Sequence, residues 1–262
     1  MQVATWNVNS IRTRQQQVAA WLQEHPVEVL CLQETKVPDA DFPRAPFEAL
    51  GYHTYVLGQK ANNGVAILSR TPADRVLTGF SSVLEGERAA ELDAQKRAIA
   101  AEIAGICIVN LYVPNGASVG SDKYDYKLRW LAALRDYLQQ LRHGGNAQLC
   151  VCGDFNVAPE SRDIHDPRGK DDRIMASPAE REALQSVLAL GLGDAFRKFT
   201  AERGHYSWWD YRTRAVRGNR GWRIDHCYLS PELYQRARDC YIDAAPRHWE
   251  RPSDHAPVVV AL

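Results

Sequence analysis

The sequence predicts an α/β fold built on two packed β-sheets. Short runs rich in Val, Ile, Leu and Cys recur along the chain, each bounded by polar turn residues. Helical apolar patterns fall between them, so strands and helices are mixed throughout. The 262 residues are 45% hydrophobic, enough to bury a sizeable core. No repeat, linker or low-complexity segment divides the chain, and one α/β domain over 1–262 is expected.

The elements follow in order. Residues 2–6 read as a strand ending at Asn7-Val8-Asn9-Ser10. Ser10 is placed to cap a helix carrying Ile11, Val18, Ala19 and Leu22 at helical spacing. Residues 28–33 form a second buried strand, ended by Glu34-Thr35-Lys36. Strands at 52–57 and 64–69 are joined through the turn signal Asn62-Asn63-Gly64. Residues 97–103 and 106–113 make a hairpin around Ala104-Gly105, closed by Pro114-Asn115-Gly116. Residues 122–142 form a long helix with Leu128, Leu131, Leu134, Leu138 and Leu141 as its apolar stripe; His143-Gly144-Gly145 stops it.

The run Leu149-Cys150-Val151-Cys152 fills a buried strand that delivers Gly153-Asp154-Phe155-Asn156, and Ala158-Pro159 end it. A polar loop spans 160–175, long enough to be functional or mobile. A helix with Pro178 near its start runs to 190. Residues 206–211 read as an aromatic strand, 212–223 as a basic loop, and 224–229, 240–242 and 256–262 as strands.

Composition narrows the function. Lys plus Arg equals Asp plus Glu, at 32 each, so a nucleic-acid partner would be met by a local patch and not a global field. The six Cys form no CxxC pair and read as reduced core residues, which argues against a disulfide frame or a zinc site. The first residues lack a signal-peptide pattern and no run is long enough to cross a membrane, so a soluble cytoplasmic protein is expected.

Asp154 and Asn156 lie two apart and share one face at the carboxyl end of their strand, where open α/β sheets bind ligands. Alone, such a pair is also what starts an ordinary turn. Asn7 with Asn9, Glu34, Asp225, and Asp254 with His255 repeat the pattern at other strand ends. Hard oxygen donors suit Mg²⁺, which takes one or two protein carboxylates plus water and phosphate; Glu34 and Asp254 would serve. His255 is the natural partner of a phosphate, with Asp225 holding its ring and favouring the cation. Asp154 would activate water and Asn156 orient it. The alternative for His255 is a core histidine bonded to a backbone carbonyl. Arg212, Arg214, Arg217, Arg220 and Arg223 fall within twelve residues that contain no acid, beside Trp208, Trp209, Tyr211 and Trp222. They read either as a solvated loop over core aromatics or as a phosphate-binding patch.

Six stretches, in order, carry a resemblance: Trp6-Asn7-Val8-Asn9, Leu32-Gln33-Glu34-Thr35-Lys36, Tyr112-Val113-Pro114-Asn115, Gly153-Asp154-Phe155-Asn156, Trp222-Arg223-Ile224-Asp225-His226 and Ser253-Asp254-His255-Ala256-Pro257. With them the chain resembles the exonuclease III branch of the AP endonucleases, within the endonuclease/exonuclease/phosphatase superfamily. The resemblance implies a four-layer α/β sandwich, two mixed β-sheets flanked by helices. It implies Mg²⁺-dependent phosphodiester hydrolysis, with Mn²⁺ as a substitute, by a monomer acting on double-stranded DNA with abasic sites, nicks or 3′ ends. Glu34 becomes the main metal ligand, with Asn9 and Asp254 near it and Asn7, Asp154 and Asn156 in the same set. Asn7 and Asn156 also position phosphate or water, and Asp154 serves the attacking water. Asp225 and His255 contact the phosphate, and Tyr112 and Asn115 add hydrogen bonds. Trp208, Trp222 and Ile224 line a pocket for a flipped, base-free sugar, and Arg212, Arg220 and Arg223 meet the DNA. Two regions depart from the family pattern. The 160–175 loop carries His165, either an exposed loop residue or one that projects toward the DNA and favours 3′-end trimming. Arg212 stands where some members place an apolar intercalating residue.

Rival readings are a superfamily phosphoesterase acting on RNA tails, inositol phosphates or sphingomyelin, and a DNA-binding module without catalysis. A glycosidase-like acid pair fails, since no second carboxylate replaces His255.

Overall fold

The computed structural model describes residues 1–145, 148–170, 172–211 and 215–262. One sheet contains β1 (Gln2–Asn7), β2 (Val29–Gln33), β3 (His53–Leu57), β4 (Val65–Ser69), β11 (Asp239–Ile242) and β12 (Val258–Ala261), in the order β11-β12-β1-β2-β4-β3. The other contains β5 (Arg75–Thr78), β6 (Ala98–Ile103), β7 (Ile106–Tyr112), β8 (Leu149–Asp154), β9 (Gly193–Asp194) and β10 (Asp225–Leu229), in the order β5-β6-β7-β8-β10-β9. The β1–β2 and β7–β8 pairs are parallel and their other neighbours antiparallel, so both sheets are mixed. Helices α1 (Ile11–Glu24), α2 (Ala45–Glu48), α3 (Glu87–Asp93), α4 (Asp122–His143), α5 (Pro178–Leu188), α6 (Ala195–Phe199) and α7 (Pro231–Arg236) complete the chain.

Alternation along the strands builds the layers. Val3, Val29, Cys31, Val65 and Ile67 face Ile99, Ile108, Cys150, Cys152 and Cys227 across the two sheets. Ala4, Trp6, Leu30 and Leu32 point the other way and meet Ile11, Val18, Trp21 and Leu22 of α1. Val109, Leu111 and Val151 likewise meet Trp130, Leu131, Leu134 and Leu138 of α4. Strands buried on both faces read as continuous apolar runs, and this is why they were legible. The result is the expected four-layer sandwich.

All six cysteines are free and buried. Among the described residues no helix is long and apolar enough to cross a membrane. One polar link crosses the inter-sheet core: Gln33 Nε2 donates to Asn110 Oδ1 at 2.7 Å, and Asn110 Nδ2 donates to the Leu32 and Ala66 carbonyls. Gly153 is demanded by a close approach: a Cβ there would lie 2.0 Å from the Leu111 carbonyl oxygen, at a φ of +143°.

Several expectations are corrected. Ser10 makes no side-chain cap; at φ 94° its backbone N–H donates to the Glu34 carbonyl at 2.7 Å, because the chain must cross the end of β2. The stripe of α4 holds Tyr124, Lys127, Trp130 and Tyr137, while Leu128 is only half-buried. Residues 206–211 are not a strand: Trp208 forms isolated bridges to Trp222 and His255, since the segment crosses the strand ends. The 160–175 segment is a loop, as expected; Asp163, fully buried, accepts from Arg197 and Arg223, and Ile164 bridges to Trp222. β5, β9 and the shorter helices were not anticipated.

β12 lies between β11 and β1, and Val258, Val259 and Val260 are at most 1% exposed. Deleting residues 256–262 is expected to abolish the cooperative thermal transition followed by circular dichroism.

Candidate active site

Six strands open at one edge of the sandwich. β1, β2, β7 and β8 end there, and their antiparallel partners β12 and β10 begin there. Asn7 pairs with Gln33, and Asp154 lies between Tyr112 and Asp225 in register. The chain must then turn sharply, and Asn9, Glu34 and Asn156 do so with left-handed backbones, at φ 43°, 51° and 50°. Such non-glycine residues cost of order 1–3 kcal/mol each and persist only where their surroundings hold them. Here Thr35 N–H donates to the Gly64 carbonyl at 3.1 Å, and Phe155 N–H to Ile224 at 2.9 Å.

The side chains converge. Asn7 Nδ2 donates to Glu34 Oε1 at 2.8 Å and to Asp154 Oδ2 at 2.9 Å. His255 Nδ1 donates to Asp225 Oδ2 at 2.8 Å, and its Nε2 stands 3.8 Å from Asp154 Oδ2. Asp254 is held from two sides, by Asn9 Nδ2 and Trp208 Nε1, each at 3.0 Å. Asn115 Nδ2 donates to Asn156 Oδ1 at 3.0 Å. Lys36 Nζ lies 2.8 Å from Glu34 Oε2 and donates to Asn9 Oδ1.

Charge follows from this geometry. Burial opposes a charge on His255, but the Asp225 and Asp154 carboxylates outweigh it and raise its pKa to about 10. Burial raises Asp154 above the usual carboxylate range, with the His255 cation as the main opposing influence. Glu34 also suffers burial, yet the Lys36 ammonium and the Asn7 amide hold it below its ordinary value. Burial and the nearby Glu34 and Asp154 carboxylates push Tyr112 well up, so its phenol is a neutral donor. The core-histidine alternative describes His226 instead: its Nε2 meets the Val157 carbonyl at 2.9 Å, and burial and Arg223 push its pKa down to about 4.

Glu34, Asp154 and His255 each offer a ligand atom within 4.8 Å of the others. His255 is cationic with Nδ1 committed to Asp225, so it is a poor ligand. Glu34 and Asp154, with Asp254 and Asn9 beside them, leave a set of hard oxygens suited to a divalent cation. The Lys36 ammonium between Glu34 and Asn9 shows that positive charge is favoured there.

The predicted residues Asn7, Asn9, Glu34, Tyr112, Asn115, Asp154, Asn156, Asp225, Asp254 and His255 therefore share one edge. Asn7 and Asn156 stand at this edge with side-chain oxygens that already accept a hydrogen bond. Asn7 Oδ1 accepts from Asn9 N–H and its amide faces the carboxylates; Asn156 Oδ1 accepts from Asn115 and its Nδ2 donates to Val113. Both are scaffolding for their neighbours. Trp208, Trp222 and Arg220 line a cavity of about 460 Å³ with His165 on its wall. Ile224 packs beneath the two tryptophans and is 1% exposed. Arg223 is withdrawn as a DNA contact: it is buried between Asp163 and Asp194, and its remaining donor meets His226 Nδ1. Removing it would strand a buried carboxylate, a loss of about 3–5 kcal/mol. Arg212, and Arg214 with it, lie outside the described residues.

Two neighbours of the site were missed. Arg97 stacks over the Tyr112 ring at 4.5 Å and lines a groove of about 670 Å³ with Asn115 and Tyr126. No sequence signal marks it. Lys127 sits fully buried on the apolar face of α4, and its heptad spacing from Tyr124, Leu131 and Leu134 was a readable signal.

Fold and site together define a hydrolase whose chemistry sits at the common end of two sheets. The chain belongs to the Endonuclease/Exonuclease/phosphatase family, which it matches over residues 4–255. It is 34% identical to exodeoxyribonuclease III of Haemophilus influenzae, over 98% of each chain. It is similar to the solved AP endonuclease of Archaeoglobus fulgidus, with 41% identity, a TM-score of 0.92, and coverage of 100% of this chain and 99% of that one. The 3′ phosphatase NExo from Neisseria, solved with a product DNA hairpin, gives 37% identity and a TM-score of 0.93 over 100% and 99% of the two chains.

Replacing Asp225 by Asn should release His255. A raised pKa favours the folded state fully below the unfolded value of 6.5, and this support is lost as pH rises through about 10. In Asp225→Asn the deprotonation should move about 1–3 pH units toward acid, as an NMR titration of the His255 ring would record.

Proposed function

We propose that the chain is a DNA repair nuclease that hydrolyses phosphodiesters of double-stranded DNA at abasic sites and 3′ ends, with Mg²⁺ as its ion and Mn²⁺ as a substitute. The observation that carries this is the His255–Asp225 pair aimed at Asp154, beside an ionised Glu34. Exodeoxyribonuclease III, AP endonuclease and 3′ phosphatase relatives supply the substrate class.

Phosphoryl chemistry asks chiefly for positioning and neutralised charge. Glu34, Asp154, Asp254 and Asn9 would hold the cation, which supplies Lewis-acid stabilisation of phosphate oxygens. Asp154 takes the proton of the attacking water; its raised proton affinity suits that task near neutral pH. His255 presents a protonated Nε2 to the phosphate, while Asp225 keeps Nδ1 occupied. Tyr112 donates its neutral hydroxyl to the same phosphate. Trp208 and Trp222 wall a cavity suited to a base-free sugar, and Arg97 and Arg220 offer charge on either side.

One observation favours 3′-end processing over internal incision. His165 is exposed on the wall of that cavity, with its ring centroid 6.3 Å from that of Tyr206, where it would stand in the path of a continuous strand entering the cavity. A cytoplasmic location fits six unpaired buried thiols.

Asp154→Asn should lower kcat on an abasic duplex by about 10²–10⁴-fold, and EDTA should abolish cleavage until Mg²⁺ or Mn²⁺ is added. Efficient turnover of a soluble phosphate ester in preference to DNA would favour another branch of the family. His165→Gly should raise the ratio of abasic-site incision to 3′-end removal, measured on paired duplex substrates; an unchanged ratio would exclude His165 from specificity.

A further inference from the structure

Lys127 is the one cation of α4 with no access to solvent. It lies on the helix face that otherwise presents Tyr124, Leu131 and Leu134 to the core. An ammonium has three donors, and each finds a partner. Nζ donates to the Asn156 carbonyl at 2.7 Å, to the Asn115 carbonyl at 3.2 Å and to the Glu180 carboxylate. Those two carbonyls belong to the turns that follow β8 and β7. In front of the ammonium the side chains of the same two residues meet, Asn115 Nδ2 to Asn156 Oδ1 at 3.0 Å. One buried charge thus stands behind two of the asparagines of the catalytic edge, Asn115 and Asn156.

We propose that Lys127 is a positioning residue for the nuclease site, holding the Asn115 and Asn156 turns in a single arrangement through their carbonyls. This rests on the nuclease activity proposed above. Asn156 is left-handed at φ 50°, and its N–H donates to Asp154 Oδ1 at 2.9 Å, so its carbonyl direction is linked to the catalytic carboxylate. Gly116 leaves room for the arrangement: a Cβ there would come within 3.2 Å of Lys127 Cδ. Glu180 is the counter-ion of this ammonium and touches neither turn; its Oε1 also accepts from Met175 N–H at 2.9 Å, and its Oε2 from Ser177 N–H at 3.1 Å, at the start of α5. Stability alone does not call for this arrangement, because a buried ion pair is often matched or exceeded by apolar residues of similar volume. A leucine at 127 would pack, but it would leave two carbonyls of the catalytic turns without their shared donor.

The test compares the full chain with Glu180→Gln, Lys127→Met and the double variant. Thermal midpoint is measured with kcat and KM on an abasic duplex in Mg²⁺. Glu180→Gln deprives a buried ammonium of its carboxylate and should melt lower, yet keep kcat within about threefold because both carbonyl bonds survive. Lys127→Met with Glu180→Gln removes both charges and should melt above either single variant. Its kcat should nonetheless fall about 30–100-fold with little change in KM, as for a small misplacement of reacting groups. Stability and rate would then rank the variants in opposite orders. Wild-type kcat in the double variant, or rates that follow melting midpoints, would overturn the proposal. If Glu180→Gln fails to fold, the double variant against wild type still decides. Hydrogen exchange over residues 113–117 and 154–158 is read in parallel: faster exchange in the double variant supports positioning, and unchanged exchange refutes it. That second readout stands even if the wild-type chain cuts no DNA, a result that would sink the nuclease reading and leave the positioning of the turns decided separately.

Discussion

Two sheets must meet with their strand ends flush, and a hydrogen-bonded link inside the core, beside the Asn7–Asp154 bond at the edge, holds that alignment. Apolar contact between sheets is strong but non-directional, so Val, Ile and Cys side chains alone would tolerate sliding. Gln33 and Asn110 would not. Their amides join β2 to β7 through the core, and Asn110 also takes in the Leu32 and Ala66 carbonyls. Gln33 immediately precedes Glu34, and Asn110 lies two residues before Tyr112. Displacing one sheet by a residue would leave these buried amides unpaired, so the alignment of the metal-fit edge with the phosphate-facing edge is enforced well inside the protein.

At the edge itself, charge is balanced within a few ångströms. Asp225 makes a cation of His255, and that cation offsets part of the penalty for burying Asp154. Asn7 supplies a neutral donor to two carboxylates at once, bridging Glu34 and Asp154. Lys36 adds a cation on the open side of Glu34. Each group is therefore interpretable only with its neighbours.

Much of this was legible because polar residues interrupt otherwise apolar strands. Glu34, Asp154 with Asn156, and Asp254 with His255 each stand at the point where a buried run stops. What failed was whatever depends on partners distant in sequence. Arg223 looked like one of five loop arginines, although Asp163 and Asp194 draw it into the interior. Lys127 was missed because its partner Glu180 lies far along the chain, although its spacing among core positions marked it. The hydrogen bonds that Asn7 and Asn156 accept, from the Asn9 backbone and from Asn115, likewise could not be read from the sequence. Ser10 has the identity of a helix cap, but its φ of 94° is imposed by the crossing over β2. Local propensity yielded to tertiary geometry at each of these places.

The cysteines give the molecule an internal clock. Five of the six thiols sit between the sheets, whereas Cys107 lies on the opposite face of its sheet, beneath α4. An alkylating reagent reaches the first group only when the sandwich parts, and Cys107 when the outer helix lifts. Mass spectrometry of partly labelled protein would order those two openings in time, with no dye or engineered residue added.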